Sequence, residues 1–160
     1  MKIESKGFNN LRPEDHEKKN FDPTSATFLE SENKVQGFEG RQFTLSDVDG
    51  HHVGDLLLVN DAQDDSWIKI KIFGVDKEYR GSGAVDLLYG KSFQIAKEDD
   101  KDLVMDSAVG VAAYKSFLKY IENQNYNYEE NPLIKLHEPT QTYQAADLTY
   151  TVRVKKENFK

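Results

Sequence analysis

The sequence predicts a mixed α/β fold, and three features carry that prediction. Trp67-Ile68-Lys69-Ile70-Lys71-Ile72-Phe73 alternates isoleucine with lysine, the pattern of a half-buried strand. A helical pattern then runs from about Ala84 to Lys97, with Val85, Leu88, Tyr89, Ser92 and Ala96 on one stripe widened by Leu87 and Ile95. Finally, Asp102-Leu103-Val104-Met105-Asp106 reads as a short buried strand. A second helix comes after it from Val109 to about Glu122, with Ala112, Ala113, Phe117 and Tyr120 at helical spacing.

In the first strand Ile68, Ile70 and Ile72 are expected to face the core and Lys69 and Lys71 to face outward. Ser82 is the expected N-cap of the helix beginning near Ala84. Upstream, Arg41 to Val48 and His51 to Val59 flank Asp49-Gly50, a strong hairpin signal, and Ala26 to Glu30 reads as a short strand. Asp61 to Asp65 is an acidic turn into the strand at Trp67. Residues 1 to 25 are largely polar, with Ile3 and Phe8 as the early hydrophobic hints and a short helix expected at Pro13-Glu14-Asp15-His16-Glu17. Downstream, 123 to 132 is a polar, aromatic loop without a period, followed by a short strand at Leu133 to Leu136. Thr149 to Val154 is a C-terminal strand by alternation and β-branching. No repeat or linker divides the chain, so residues 1–160 are read as one domain.

Composition narrows the function. A formal net charge of -7 argues against a general nucleic-acid binder, which needs clustered Lys and Arg. The absence of cysteine excludes disulfides, thiolate metal sites and a cysteine nucleophile. His16, His51, His52 and His137 lack metal-ligand spacing, so no metal site is expected. No run has the length of a membrane span and the N-terminus lacks the apolar stretch of a signal peptide, so the expected location is cytoplasmic. For a virus-encoded protein that means the host cytoplasm or the virion.

Function is most legible in the turn between the strand at Trp67 and the helix at Ala84, which reads Phe73-Gly-Val-Asp-Lys-Glu-Tyr-Arg-Gly-Ser-Gly-Ala-Val85. The first N–H groups of a helix have no intrahelical partner, and the helix dipole adds partial positive charge there. Gly81 and Gly83 remove side chains that would keep a phosphate away, and Arg80 adds a forked cation. There is no G-x-x-x-x-G-K-[ST], and the spacing is not G-x-G-x-x-G.

The segment resembles the acyl-CoA loop of the GNAT (general N-acetyltransferase) superfamily. Val75, Glu78, Tyr79, Arg80, Gly81 and Gly83 match that family's pattern, whereas Lys77 replaces a common proline and Val85 the last small residue. The resemblance covers residues 66 to 122. It implies a mostly antiparallel mixed sheet whose two central parallel strands splay apart around the pantetheine arm, flanked by helices. It also implies transfer of an acyl group, in the first place acetyl from acetyl-CoA, to an amine. Arg80, Gly81, Ser82, Gly83, Ala84 and Val85 would hold the pyrophosphate, with Phe73 and Val75 offering backbone groups to the pantetheine.

In many family members a tyrosine on the helix after the second core strand assists the leaving sulfur. Phe117 falls at about that position and has no proton to give. Tyr114, one turn earlier, is the candidate catalytic residue, or else a half-buried core tyrosine. Asp106 ends a core strand and either faces the splay or caps the start of the next helical region. Glu78 stands beside the loop, and no general base is singled out. Asp86, in the first helical turn, would repel a pyrophosphate. Asp86, Val85 and Phe117 keep a second reading open, that of a catalytically silent GNAT-like binding or structural protein such as a phage accessory component. The acceptor, a small-molecule or protein amine, is not specified, and neither nucleic acid nor membrane is an expected partner.

Overall fold

The computed structural model describes residues 21–35, 38–60, 65–136, 142–145 and 150–159. The expectations for the N-terminal polar segment to residue 20 and for most of the acidic turn at 61–65 lie outside them. Among the described residues no helix is long and apolar enough to cross a membrane.

Four long strands come first. β1 (Thr27–Val35), β2 (Phe38–Ser46), β3 (His52–Asn60) and β4 (Trp67–Val75) form an antiparallel meander. Helix α1 (Ala84–Glu98) leads into β5 (Asp102–Met105), β6 (Ala108–Gly110) and helix α2 (Val111–Asn123). β7 (Glu129–Glu130), β8 (Ile134–Leu136), β9 (Thr142–Ala145) and β10 (Val152–Val154) complete the order. A seven-stranded sheet runs β1-β2-β3-β4-β5-β10-β7, and a separate small sheet runs β6-β9-β8. Among the described strands only β4 and β5 are parallel, because a helix returns the chain to the same end of the sheet before β5 begins.

One face of the sheet carries Leu56, Leu58, Ile68, Ile70, Leu103, Met105, Val152 and Val154, packed beneath Leu88, Tyr89 and Phe93 of α1 and Phe117 and Ile121 of α2. Leu57, Val59, Trp67 and Val104, on the other face by alternation, are buried as well. There the Arg153 guanidinium lies over Trp67, 5.0 Å from its ring, and bonds the buried Asp102 carboxylate at 2.8 Å through Nε. The charge of Asp102 is thus paired where burial would otherwise be costly.

The structure corrects four local expectations. Ile72 is 49% exposed rather than buried. Leu57 pairs with Ile72 and Leu58 with Ile70, so Lys71 is an extra residue, a β-bulge that shifts the alternation by one. Phe73 and Val75 take over the core face beyond it. The N-cap of α1 is Gly83, not Ser82, whose hydroxyl donates instead to the Tyr79 carbonyl. Val109 belongs to β6, extended and paired with Tyr143, and α2 starts only after Gly110. The loop at 123–132 holds the two-residue strand β7, paired to β10.

α1 sits close over the end of β4 because Gly54 on β3 lacks a side chain. A Cβ there would lie 2.6 Å from the Gly74 carbonyl oxygen and 3.2 Å from Leu88 of α1, so any larger residue would push strand and helix apart.

Candidate functional site

β4 and β5 pair from Trp67 opposite Asp102 to Ile70 opposite Met105, and there the ladder ends. The bulge at Lys71 falls at the next residue, and a bulge bends and twists its strand. β4 continues to Val75 against β3, while β5 gives way to Asp106, Ser107 and β6. The two parallel strands therefore splay. A cavity of about 160 Å³ occupies the gap, floored by Ile70 and Met105 and walled by Lys71 and Phe73 on one side and Val109 and Ala113 on the other.

The gap is not empty of charge. Asp106 lines it and accepts from the Lys71 ammonium at 3.0 Å, with the Lys69 ammonium 4.0 Å from its other oxygen. The Ser107 N–H also donates to Asp106, at 2.8 Å. Phe73 stacks on Tyr89 at 4.3 Å between centroids. The Tyr89 hydroxyl in turn bonds Ser116 Oγ at 2.6 Å and the Ala113 carbonyl at 3.2 Å, which ties β4, α1 and α2 together beside the gap. Burial pushes the Tyr89 hydroxyl up to about 12.

At the far end of β4 the chain enters the glycine-rich loop. The Asp76 N–H donates to the Val53 carbonyl, a short 3₁₀ turn spans Lys77–Tyr79, and Arg80 Nε donates to the Val75 carbonyl at 3.4 Å. Gly81 and Gly83 have φ of 78° and 95°, conformations open to glycine and strained for other residues. The first helical bond runs from the Leu87 N–H to the Gly83 carbonyl, so the N–H groups of Ala84, Val85 and Asp86 precede it, and Gly83 has no side chain to cap them.

Tyr79 anchors the loop from below. It is buried, and its hydroxyl donates to Asp47 in the β2–β3 turn at 2.8 Å. Burial, then the Asp47 carboxylate, push Tyr79 up to about 12. Burial disfavours ionisation of Asp47 too. Hydrogen bonds from Tyr79, His51 and Asp49 outweigh it and hold that carboxyl at about 2. Beside this anchor His52 bridges Asp76 at 2.7 Å and Asp55 at 2.8 Å. The bond to Asp76, opposed by partial burial and helped by Asp55, raises the imidazole above its ordinary value.

No sequence family matches the chain, and no curated protein is similar to it in sequence. Solved structures do match its backbone. A dodecameric spermidine N-acetyltransferase from Vibrio cholerae aligns with 84% of the chain and 95% of its own, at a TM-score of 0.60 and 9% identity. A spermidine N-acetyltransferase from the same organism, in complex with CoA and spermine, covers 74% of this chain and 67% of its own, at a TM-score of 0.54 and 13% identity. A GNAT-family protein from Desulfovibrio desulfuricans covers 73% and 69%, at a TM-score of 0.52 and 10% identity. The chain has the GNAT fold.

Within that fold, Phe73 and Val75 lie on the stretch of β4 that extends beyond the β5 ladder, Arg80 to Gly83 form the turn into α1, and Ala84 and Val85 are its first residues. The Phe73 ring is taken up by Tyr89, and the Val75 carbonyl accepts from Arg80. Val85 is half-buried and Asp86 exposed.

Helix α2 brings Ala113, not Tyr114, to the cavity. Tyr114 lies about 100° further round the helix, is 5% exposed, and donates its hydroxyl to Glu130 of β7, two strands beyond β5. Phe117 is fully buried between Tyr89 and Phe93. Sequence reasoning passed over Lys71, reading it as an outward lysine, and left Asp106 undecided. Its only signal for Lys71 was a lysine late in a strand that leads to a glycine-rich turn.

Proposed function

We propose that the protein is an acyl-CoA-dependent N-acyltransferase, using acetyl-CoA and acting on an amine. The observation that carries this is the coincidence of two features on one strand. β4 loses its β5 partner at Ile70, and nine residues after Val75 it delivers the chain to a helix N-terminus whose first N–H groups no side chain of the N-cap satisfies. The open edge of β4 suits an extended arm, and the glycine-rich turn suits its pyrophosphate. Holding thioester and amine together there would supply much of the rate enhancement by positioning alone. The spermidine acetyltransferases that share the fold make an amine acceptor a natural candidate class. Calorimetric titration of the full chain with acetyl-CoA tests the reading. Heat at micromolar to millimolar ligand, followed by release of free CoA when amines are added, is expected; no heat at millimolar ligand overturns it.

One observation favours the silent binding or structural reading instead. The gap measures about 160 Å³ and an ion pair from Lys71 to Asp106 crosses it. Ligand pockets commonly run to about 300 Å³ or more, so an arm must widen the gap to enter. Heat on titration without CoA release for any amine would select this second reading.

A further inference from the structure

The geometry points to Lys71 as an internal acyl acceptor: we propose that bound acyl-CoA transfers its acyl group to Lys71 Nζ. This rests on the acyl-CoA reading above. Among the described residues that line the cavity between the splayed strands, Lys71 alone carries an amine. Its side chain is 25% exposed, so it is open to solvent, and a thioester reaches it once the gap widens. The bulge places it at the first residue of β4 beyond the β5 ladder, on the strand that leads to the glycine-rich turn. Lys69 differs on each count. It is paired to Val59 on one side and Val104 on the other, it does not line the cavity, and its side chain is 12% exposed.

Asp106 supplies the proton acceptor. Its Oδ2 is 3.0 Å from Lys71 Nζ, hydrogen-bond reach for a general base. Lys71 gives one proton of its ammonium to Asp106, and the neutral amine attacks the thioester carbonyl carbon. The new C–N bond forms, the C–S bond breaks, and the leaving thiolate takes a second proton from the nitrogen. The products are the Lys71 amide and free CoA thiol, and the proton on Asp106 passes to water. No electrons are exchanged. Acylation removes the Lys71 charge and with it the ion pair that crosses the gap.

Peptide mapping by mass spectrometry tests this on the full chain incubated with acetyl-CoA, with the dissociation constant measured in parallel. The Lys71 peptide is expected to gain one acetyl group at least tenfold faster than peptides bearing the exposed Lys115 and Lys119, which report uncatalysed acylation. Asp106→Asn should slow Lys71 acylation at least tenfold while acetyl-CoA still binds. In Lys71→Arg, which can keep a charge opposite Asp106, acetyl should vanish from this peptide without moving to Lys69. Binding of acetyl-CoA with Lys71 acylated no faster than Lys115 overturns this inference alone. Absence of binding overturns the functional reading and this inference with it.

Discussion

The C-terminal end and the middle of β4 are specified in different ways. At its C-terminal end the glycine-rich turn is local: Gly81 and Gly83 occupy positive φ, Arg80 folds back on Val75, and the helix starts within a dozen residues of the strand. In the middle of the same strand the gap is non-local. It needs the bulge against β3, the end of the β5 ladder, and an Asp106 carboxylate thirty-five residues away in sequence from Lys71. A turn depends on the conformational range of its own residues, whereas a gap depends on which partners its neighbours lack.

The sharpest test of the non-local region is the bulge. Ile70→Ala should cost about 2–5 kcal/mol, as for other buried large-to-small changes, whereas Ile72→Ala should cost under about 1 kcal/mol because Ile72 is exposed. Urea unfolding of the two variants measures both. Equal losses would mean that the alternation continues through Lys71.

The local region is probed by Gly83→Val. A Cβ at Gly83 meets only the Pro23 ring, at 3.9 Å, so the penalty is the left-handed backbone, about 1–2 kcal/mol of stability. Acetyl-CoA affinity should fall more than tenfold while the variant stays folded. Undiminished affinity would remove the turn from the site.

Tyr114→Phe is next in size. It deletes the hydroxyl bonded to Glu130 and should cost about 1 kcal/mol by thermal unfolding, with turnover changed less than tenfold. Turnover lowered on the order of 100-fold at intact acetyl-CoA affinity would place Tyr114 in proton transfer to the sulfur.

Asp86→Asn should tighten acetyl-CoA binding a few-fold at low salt, and less at high salt, since the loss of a carboxylate from the first turn of α1 removes a screened repulsion. Unchanged affinity would mean that Asp86 points away from the phosphates.

The smallest effect is expected at His52. Its folded value is raised, so its ion pairs with Asp76 and Asp55 stabilise the fold fully below the ordinary histidine value of about 6.5 and lose that contribution as pH rises through the folded value. The side chain is 44% exposed, so the contribution is worth under about 1 kcal/mol. His52→Gln should therefore lower stability more at pH 5.5 than at pH 9, as read by unfolding at both. A difference that grows with pH would contradict the bridge.

By itself the sequence determined the hairpin, the strand at Trp67, the turn at 80–83, the first helix, the strand at Asp102 and the second helix in their order, without the short β6 between the last two. These come from alternation, helical spacing and glycine, which act over a few residues. It also carried the resemblance that predicts a splayed sheet. The tertiary structure decided which residues face the gap. One unpaired residue at Lys71 turned Ile72 outward and Phe73 inward, a reversal that the regular isoleucine–lysine alternation conceals. The pairing of Val109 with Tyr143 and Gly110 with Thr142 delayed α2 by two residues from its expected start. Ala113 lines the cavity and Tyr114 meets Glu130. Bulges and strand ends are set by the partner strand, so a single chain segment read alone holds no record of them.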